Sequence, residues 1–141
     1  MILAYSSSSC YVQYSFIDNI AGSEITSFNL VFRDDVDNRW TSLIGNDGSE
    51  SLATLHIFSV VKSVYYEIKF RVRNQVGWSD YSPVVSFIAA DVPSEPTAPE
   101  LISFSSTQIS LSFNLASIDN GGLPIDSYSL EITDDVLAGF T

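Results

Sequence analysis

The clearest alternation of apolar and polar residues in the chain is YEIKFRVR, residues 66–73. Its apolar members are Tyr66, Ile68, Phe70 and Val72, and its charged members are Glu67, Lys69, Arg71 and Arg73. Because successive side chains of a strand point to opposite faces, this pattern predicts a half-buried β-strand. Asn74 and Gly77 follow at a predicted turn, and the apolar residues 84–90 predict a second strand.

Shorter alternating segments predict further strands in the first 91 residues. The side chains expected to point inward are Val12, Tyr14 and Phe16, then Phe28, Leu30 and Phe32, then Leu55, Ile57 and Val60. Residues 39–44 predict a short additional strand between two turns. His56 is expected on the outer face of its strand, and Cys10 near the core. Every segment is short, bounded by turn residues and without helical periodicity, so the sequence predicts an all-β fold.

The pattern Tyr-x-Ile-x-Phe-x-Val-x-Asn-x-x-Gly-x-Ser, from Tyr66 to Ser79, resembles the F strand and F–G turn of a fibronectin type III domain. Val60 stands where that family usually has the Leu that packs under its tyrosine corner. Phe16 and Phe113 stand where the family usually has a Trp on strand B. The resemblance implies an immunoglobulin-like β-sandwich, usually free of disulfides, and it implies a scaffold without naming a ligand.

The chain also repeats itself with an offset of 100 residues. Ile25, Phe28, Leu30 and Phe32 correspond to Ile125, Tyr128, Leu130 and Ile132. Three prolines between the two copies are typical of a stiff linker. We therefore predict a fibronectin type III-like module at residues 1–91, a proline-rich linker at 92–99, and strands A, B and C of a second module at 100–141. Half a sandwich leaves its inner face uncovered, which favours a piece of a longer tandem array or completion by another chain.

Charge narrows the classes of partner. The net charge of −11 disfavours nucleic acid and anionic membrane surfaces, and no apolar run approaches the roughly 20 residues of a membrane span. Residues 92–141 contain seven acidic and no basic residues, whereas all six basic residues precede residue 74. The N-terminus does not resemble a signal peptide, which suits an intracellular protein or a piece of a longer one.

Candidates for chemistry are few. No catalytic motif accompanies the single histidine, so we expect a non-enzymatic protein without a cofactor. The acidic turns are interpreted as solvated, with a weak Ca²⁺ site as the alternative; they contain Asp34, Asp35, Asp37, Asp134 and Asp135. The serine run is interpreted as a polar turn, with O-linked glycosylation as the alternative; it consists of Ser6, Ser7, Ser8 and Ser9.

Protein contact is the expected activity. Lys69, Arg71 and Arg73, with Lys62 upstream, predict a basic face, either solvated with cross-strand ion pairs or bound to the acidic second module of another copy. Trp78 is expected to be an exposed aromatic in the F–G turn, which the resemblance implies is a binding tip. We expect a structural or adhesion module of a tandem array in an extracellular filament or surface protein, which assembles through module–module and edge-strand contacts. The alternatives are a recognition module that binds protein or glycan, and an intracellular cytoskeletal or ciliary scaffold.

Overall fold

A computed structural model describes residues 1–15, 22–46 and 48–133 of the protein. The predictions for Phe16, Asp134 and Asp135 lie outside these residues. The described chain forms β1 (Ile2–Tyr5), β2 (Ser9–Gln13), β3 (Ser27–Asp34), β4 (Thr41–Ile44), β5 (Leu55–Ser59), β6 (Tyr65–Arg73), β7 (Val85–Ile88), β8 (Glu100–Phe104) and β9 (Ile109–Ser112), followed by a 3₁₀ turn at Leu115–Ser117. None of its described helices is long and apolar enough to cross a membrane.

The first seven strands form two antiparallel sheets, ordered β1-β2-β5 and β4-β3-β6-β7. One buried cluster lies between them and contains Cys10, Val12, Tyr14, Phe28, Leu30, Val60, Tyr66, Ile68, Phe87 and Ala89. The alternation along the strands therefore places one apolar face of each sheet against the other. The predicted all-β, immunoglobulin-like sandwich is confirmed, including the inward faces expected for β2, β3 and β6.

Tyrosine side chains organise the two ends of this core. Tyr14 stacks on Phe70 with ring centroids 4.7 Å apart, which joins the two sheets. Tyr66 lies at the other end, and its hydroxyl accepts a hydrogen bond of 2.9 Å from the backbone N–H of Val61. Val60 is buried beside it. This arrangement is the tyrosine corner that the resemblance implied.

The predicted inward face of β5 is wrong by one residue. His56 is 5% exposed and points inward, whereas Leu55 and Ile57 are 47% and 70% exposed. The imidazole can be buried because its Nε2 lies 2.8 Å from the Tyr14 hydroxyl and 3.0 Å from the Ala53 carbonyl oxygen. A buried polar group with partners costs little, so the polar residue takes the inner position.

A glycine allows the chain to pass close to the central strand β3. Gly45 follows β4 directly and has a φ of +68°, and a Cβ at this position would lie 1.5 Å from the carbonyl oxygen of Phe28. Only a residue without a side chain fits this approach. The strand that ends before this glycine is shorter than predicted. It covers Thr41–Ile44 instead of residues 39–44, and Trp40 precedes it.

The second part of the described chain forms less regular structure than predicted. Strands β8 and β9 pair as a hairpin, but residues 123–133 form no strand, although the sequence predicts strand C there. The equivalent β3 pairs with β4 and β6 along its length. No described strand pairs with residues 123–133, so their backbone groups form no ladder of hydrogen bonds with a neighbouring strand.

Hydrogen bonds join this second part to the sandwich. The N–H of Asp91 donates to Gly121 O (2.9 Å), and the hydroxyl of Ser63 donates to Gly122 O (2.8 Å). Lys62 Nζ lies 2.5 Å from Asp119 Oδ1, and this cation lowers the pKa of the Asp119 carboxyl. We call these contacts the junction.

Candidate interaction face

The outer face of the four-stranded sheet carries a stack of alternating cations and aromatic rings. In spatial order it contains Arg33, Trp40, Lys69, Tyr81, Arg71, Trp78 and Arg73. Strands β3 and β6 supply the basic residues because their even-numbered side chains point into the core and the odd-numbered ones point outward. The aromatic rings come from the segments that precede β4 and follow β6. We call this set the cation–aromatic stack.

Each inner cation of the stack lies between two rings. Lys69 Nζ is 4.0 Å from the centroid of Trp40 and 4.4 Å from that of Tyr81. The guanidinium carbon of Arg71 is 4.8 Å from the Tyr81 centroid and 4.5 Å from the Trp78 centroid. At these distances, the negative face of a ring attracts a cation by about 0.5–2 kcal/mol per pair, depending on its exposure to water. The stack therefore holds long, flexible side chains in defined positions.

A buried amide supports the stack from below. Asn29 is 2% exposed, and its Oδ1 accepts hydrogen bonds from Arg71 Nε (3.1 Å) and the Tyr81 hydroxyl (3.2 Å). Its Nδ2 donates to Ser42 Oγ (2.8 Å) and to Ile44 O (3.0 Å). One side chain thus joins β3, β4, β6 and the segment after β6. Asn29 was not among the predicted interaction residues, although a polar residue in the middle of an apolar strand is a signal for a buried network.

Two serines attach the segment 78–82 to β6. The N–H of Ser79 donates to Val72 O (2.8 Å), and Ser79 Oγ accepts from the N–H of Val72 (3.1 Å). Ser82 repeats the arrangement with Phe70, at 2.8 Å and 3.1 Å. The hydroxyl oxygens take the place that carbonyl oxygens of a neighbouring strand would occupy. Ser79 and Ser82, which are three residues apart, therefore pair with Val72 and Phe70, which are two residues apart on β6. This pairing positions Trp78 and Tyr81 over the sheet.

The predicted interaction residues are only partly where they were expected. Lys69, Arg71 and Arg73 do share one face, but their side chains are half-buried in the stack. Trp78 is also half-buried between two arginines, and the exposed tip of the turn after β6 is Val76, which is 91% exposed. Lys62 does not belong to this face, because it lies in the junction.

Two carboxylates pair with the cations at the ends of the stack, so this face carries negative as well as positive charge. Arg33 Nε pairs with Glu67 across β3 and β6, and an Arg73 guanidinium nitrogen lies 3.2 Å from Glu50 Oε1. This agrees with the cross-strand ion pairs expected for a solvated face. Guanidinium groups have five donors, so the stack can still bind carboxylates at its exposed rim.

Two of the candidate metal ligands, Asp34 and Asp35, accept hydrogen bonds from backbone N–H groups. Asp34 Oδ1 accepts from the N–H groups of Val36 (3.0 Å) and Asp37 (2.7 Å), and Asp35 Oδ1 accepts from that of Tyr65 (3.2 Å). The Asp34 contacts are of the Asx type, and the Asp35 contact joins this turn to the start of β6. Among the described residues, no three acidic, histidine or cysteine side chains come together as a metal site would require.

The serine run forms the turn between β1 and β2. Ser6 Oγ accepts from the N–H groups of Ser8 (3.2 Å) and Ser9 (3.1 Å). The N–H of Ser7 donates to Asp91 Oδ1 (3.1 Å), and the Ser7 hydroxyl also contacts the Asp91 carboxylate. The interpretation as a polar turn is confirmed, and glycosylation of these serines stays a prediction.

The buried titratable groups of the sandwich are held neutral. Burial raises the pKa of the Cys10 thiol to about 11 and that of the Tyr14 hydroxyl to about 12. Burial also lowers the pKa of His56, although its hydrogen bond to the Ala53 carbonyl opposes this. Cys10 is thus a core residue, as expected, and its thiolate is strongly disfavoured at neutral pH.

Comparisons with known proteins add little to this picture. No model of a known protein family matches the chain. The chain is similar in structure to the twitchin kinase region from C. elegans (Fn31-NL-kin-CRD-Ig26), with 14% sequence identity and a TM-score of 0.49 over 61% of this chain and 15% of that one. It is also similar to a protein described as a myokine structure, with 10% identity and a TM-score of 0.49 over 62% of this chain and 90% of that one. Neither similarity identifies a ligand for this chain.

Proposed function

We propose that the chain is a fibronectin type III-like structural module of a tandem array, which acts without enzymatic chemistry by binding other proteins, above all other copies of itself. The observation that carries the proposal is the apolar surface of residues 100–133. More than half of each of these side chains is exposed: Leu101, Ile102, Phe104, Ile109, Tyr128, Leu130 and Ile132. Large apolar side chains that face water in such numbers are typical of protein interaction sites.

Charge complementarity supports self-association. The cation–aromatic stack contains four of the six basic residues, whereas residues 92–141 contain seven acidic and no basic residues. Opposite charges on two surfaces of the same molecule steer copies towards each other and fix their orientation. The ion pair between Lys62 and Asp119 is a contact of this kind within one chain.

Sedimentation velocity of the 141-residue protein tests the proposal. We expect assemblies that grow with protein concentration, and weaker assembly at high salt because ions screen the charge contribution. A single species of 15.5 kDa at every concentration and salt would contradict self-association.

A recognition module for a protein or glycan is the second candidate. It is favoured by the F–G turn, where Val76 is 91% exposed beside the ring of Trp78. This function requires a monomer whose F–G turn amide signals in NMR spectra shift when a ligand is added.

An extracellular or cell-surface location belongs to the main proposal, and an intracellular cytoskeletal or ciliary scaffold is its alternative. Glycan mass on Ser6–Ser9 of the native protein would favour the extracellular location.

A further inference from the structure

Strand β5 has an open edge. It pairs with β2, and the described residues supply no strand on its other side. Tyr14 N–H donates to Thr54 O and Val60 N–H donates to Ser8 O, both at 3.1 Å, so the even-numbered backbone groups face β2. Backbone groups alternate in direction along a strand. The N–H and C=O groups of Leu55, Ile57 and Ser59 therefore point to the open edge.

This edge lacks the features that protect other edges of the sandwich. At the β1 edge, Tyr5 stacks on Phe87 of the other sheet with ring centroids 4.7 Å apart, which holds the end of this edge strand against the core. Strand β4 has an irregular register against β3, between Leu30 and Val31. The sequence of β5 is LHIFS, which contains no lysine, carboxylate or proline. Proteins normally use such residues or irregularities to prevent pairing of an edge, so β5 is open to an added strand.

A groove runs along the open edge. It has a volume of about 330 Å³ and lies between β5 and β4; its lining residues are Leu43, Ile44, Leu55, His56, Ile57 and Phe58. A strand added to β5 would point every second side chain into this groove, which apolar side chains line together with His56, and the others into water. The occupant that fits is thus an extended segment with alternating apolar and polar residues.

The same chain contains a segment of this kind. Residues 127–133 read SYSLEIT, in which Tyr128, Leu130 and Ile132 alternate with polar residues. The segment is related to β3 by the offset of 100 residues, yet it forms no strand and all of its side chains are exposed. In its own chain, it lines a different cavity of about 490 Å³ with Pro93 and Phe113, and no residue of β5 takes part.

We propose that the open edge of β5 accepts residues 127–133 of a second copy as an added strand. This inference rests on the proposed function and names its contact surfaces. Main-chain hydrogen bonds to Leu55, Ile57 and Ser59 provide the binding, and the apolar side chains of the donor fill the groove. Each copy carries the β5 edge and the donor segment 127–133 on different parts of its surface. The contact is therefore heterologous, and repeating it can build an open filament.

Hydrogen exchange of the intact protein, at concentrations below and above its association, tests this contact. We expect the amides of Leu55 and Ile57 to exchange at least about tenfold more slowly in the associated protein, because they gain hydrogen-bond partners. The variant Leu130→Pro removes a backbone donor and fixes φ in the middle of the segment, so it should raise the dissociation constant at least about tenfold. The exposed linker variant Ala98→Pro is the matched control and should leave it unchanged.

The possible outcomes separate this contact from self-association in general. Association that persists in Leu130→Pro, without protection of Leu55 and Ile57, would overturn the β5 contact and leave the proposed function intact. Protection of these amides in a monomer would show that the segment binds its own chain, which also overturns the proposal. Absence of association at every concentration would contradict both. Exchange of the β3 and β6 amides in each variant verifies that the sandwich is folded.

Discussion

At the scale of single residues, Asn29 connects more of the candidate face than any of the charged side chains above it. Its amide contacts Arg71, Tyr81, Ser42 and the Ile44 carbonyl. We expect Asn29→Ala to lower the free energy of unfolding by about 2–4 kcal/mol, because it leaves buried polar partners unsatisfied. Tyr81→Phe removes only one of these contacts and should cost about 0.5–1.5 kcal/mol. Urea denaturation measures both, and equal losses would contradict a central role for Asn29.

His56 predicts a pH dependence of stability. Burial lowers its pKa in the folded state, so between that pKa and the ordinary value of 6.5 the unfolded chain binds a proton that the folded protein excludes. Stability should therefore fall as the pH drops below about 6.5 and level off below the folded pKa.

Denaturation of the protein and of His56→Gln at pH values from about 7 to 5 measures this dependence, because the glutamine does not titrate in this range. The difference in unfolding free energy between the two proteins should change over this range. A constant difference would show that the His56 pKa is the same in the folded and unfolded states.

At the scale of elements, the attachment of residues 78–82 to β6 depends on two hydroxyl groups. The variant Ser79→Ala with Ser82→Ala removes the acceptors for the N–H groups of Val72 and Phe70. We expect a loss of about 1–3 kcal/mol and faster exchange of the Phe70 amide, because these groups lose protein partners. The combined fluorescence of Trp40 and Trp78 should shift to longer wavelength as the Trp78 ring leaves the stack.

Ser86→Ala on the exposed side of β7 is the control for this variant, because it removes a serine hydroxyl from a neighbouring strand without touching the segment. If both variants lose the same stability and the tryptophan emission does not change, the two hydroxyls do not position the aromatic rings.

The elements also show how far the sequence determines this fold and its candidate face. Strict alternation predicted β6 and β3 correctly, because a one-residue slip would expose an entire apolar face. It failed at β5, where His56 pairs with Tyr14, a residue that follows the neighbouring strand β2 but is 42 positions away in the sequence, so local patterning does not contain the contact. The basic residues of β6 were predicted to share a face, but their aromatic partners were not. Trp40 and Tyr81 reach them only through tertiary packing.

At the scale of the whole molecule, the junction relates the second part of the chain to the sandwich. Lys62, Ser63 and Asp91 contact the segment from Asp119 to Gly122. The proline-rich linker restricts the backbone between the two parts, and the junction adds hydrogen bonds at their contact. An array built from such units would transmit orientation from one module to the next, as the proposed structural role requires.

Gly121 is the residue at which this arrangement can be tested. Its φ is +72°, and a Cβ there would lie 2.0 Å from the carbonyl oxygen of Asp91. Gly121→Ala should therefore disrupt the junction, while the sandwich, whose core it does not touch, keeps its stability. We expect NMR relaxation to show lower order parameters for β8 and β9. Gly48→Ala has a similar φ of +82° but open space around its Cβ, so it should leave this motion unchanged. Unaltered order parameters in Gly121→Ala would mean that the linker alone orients the second part, and a tandem array would then owe its stiffness to proline and not to module contacts.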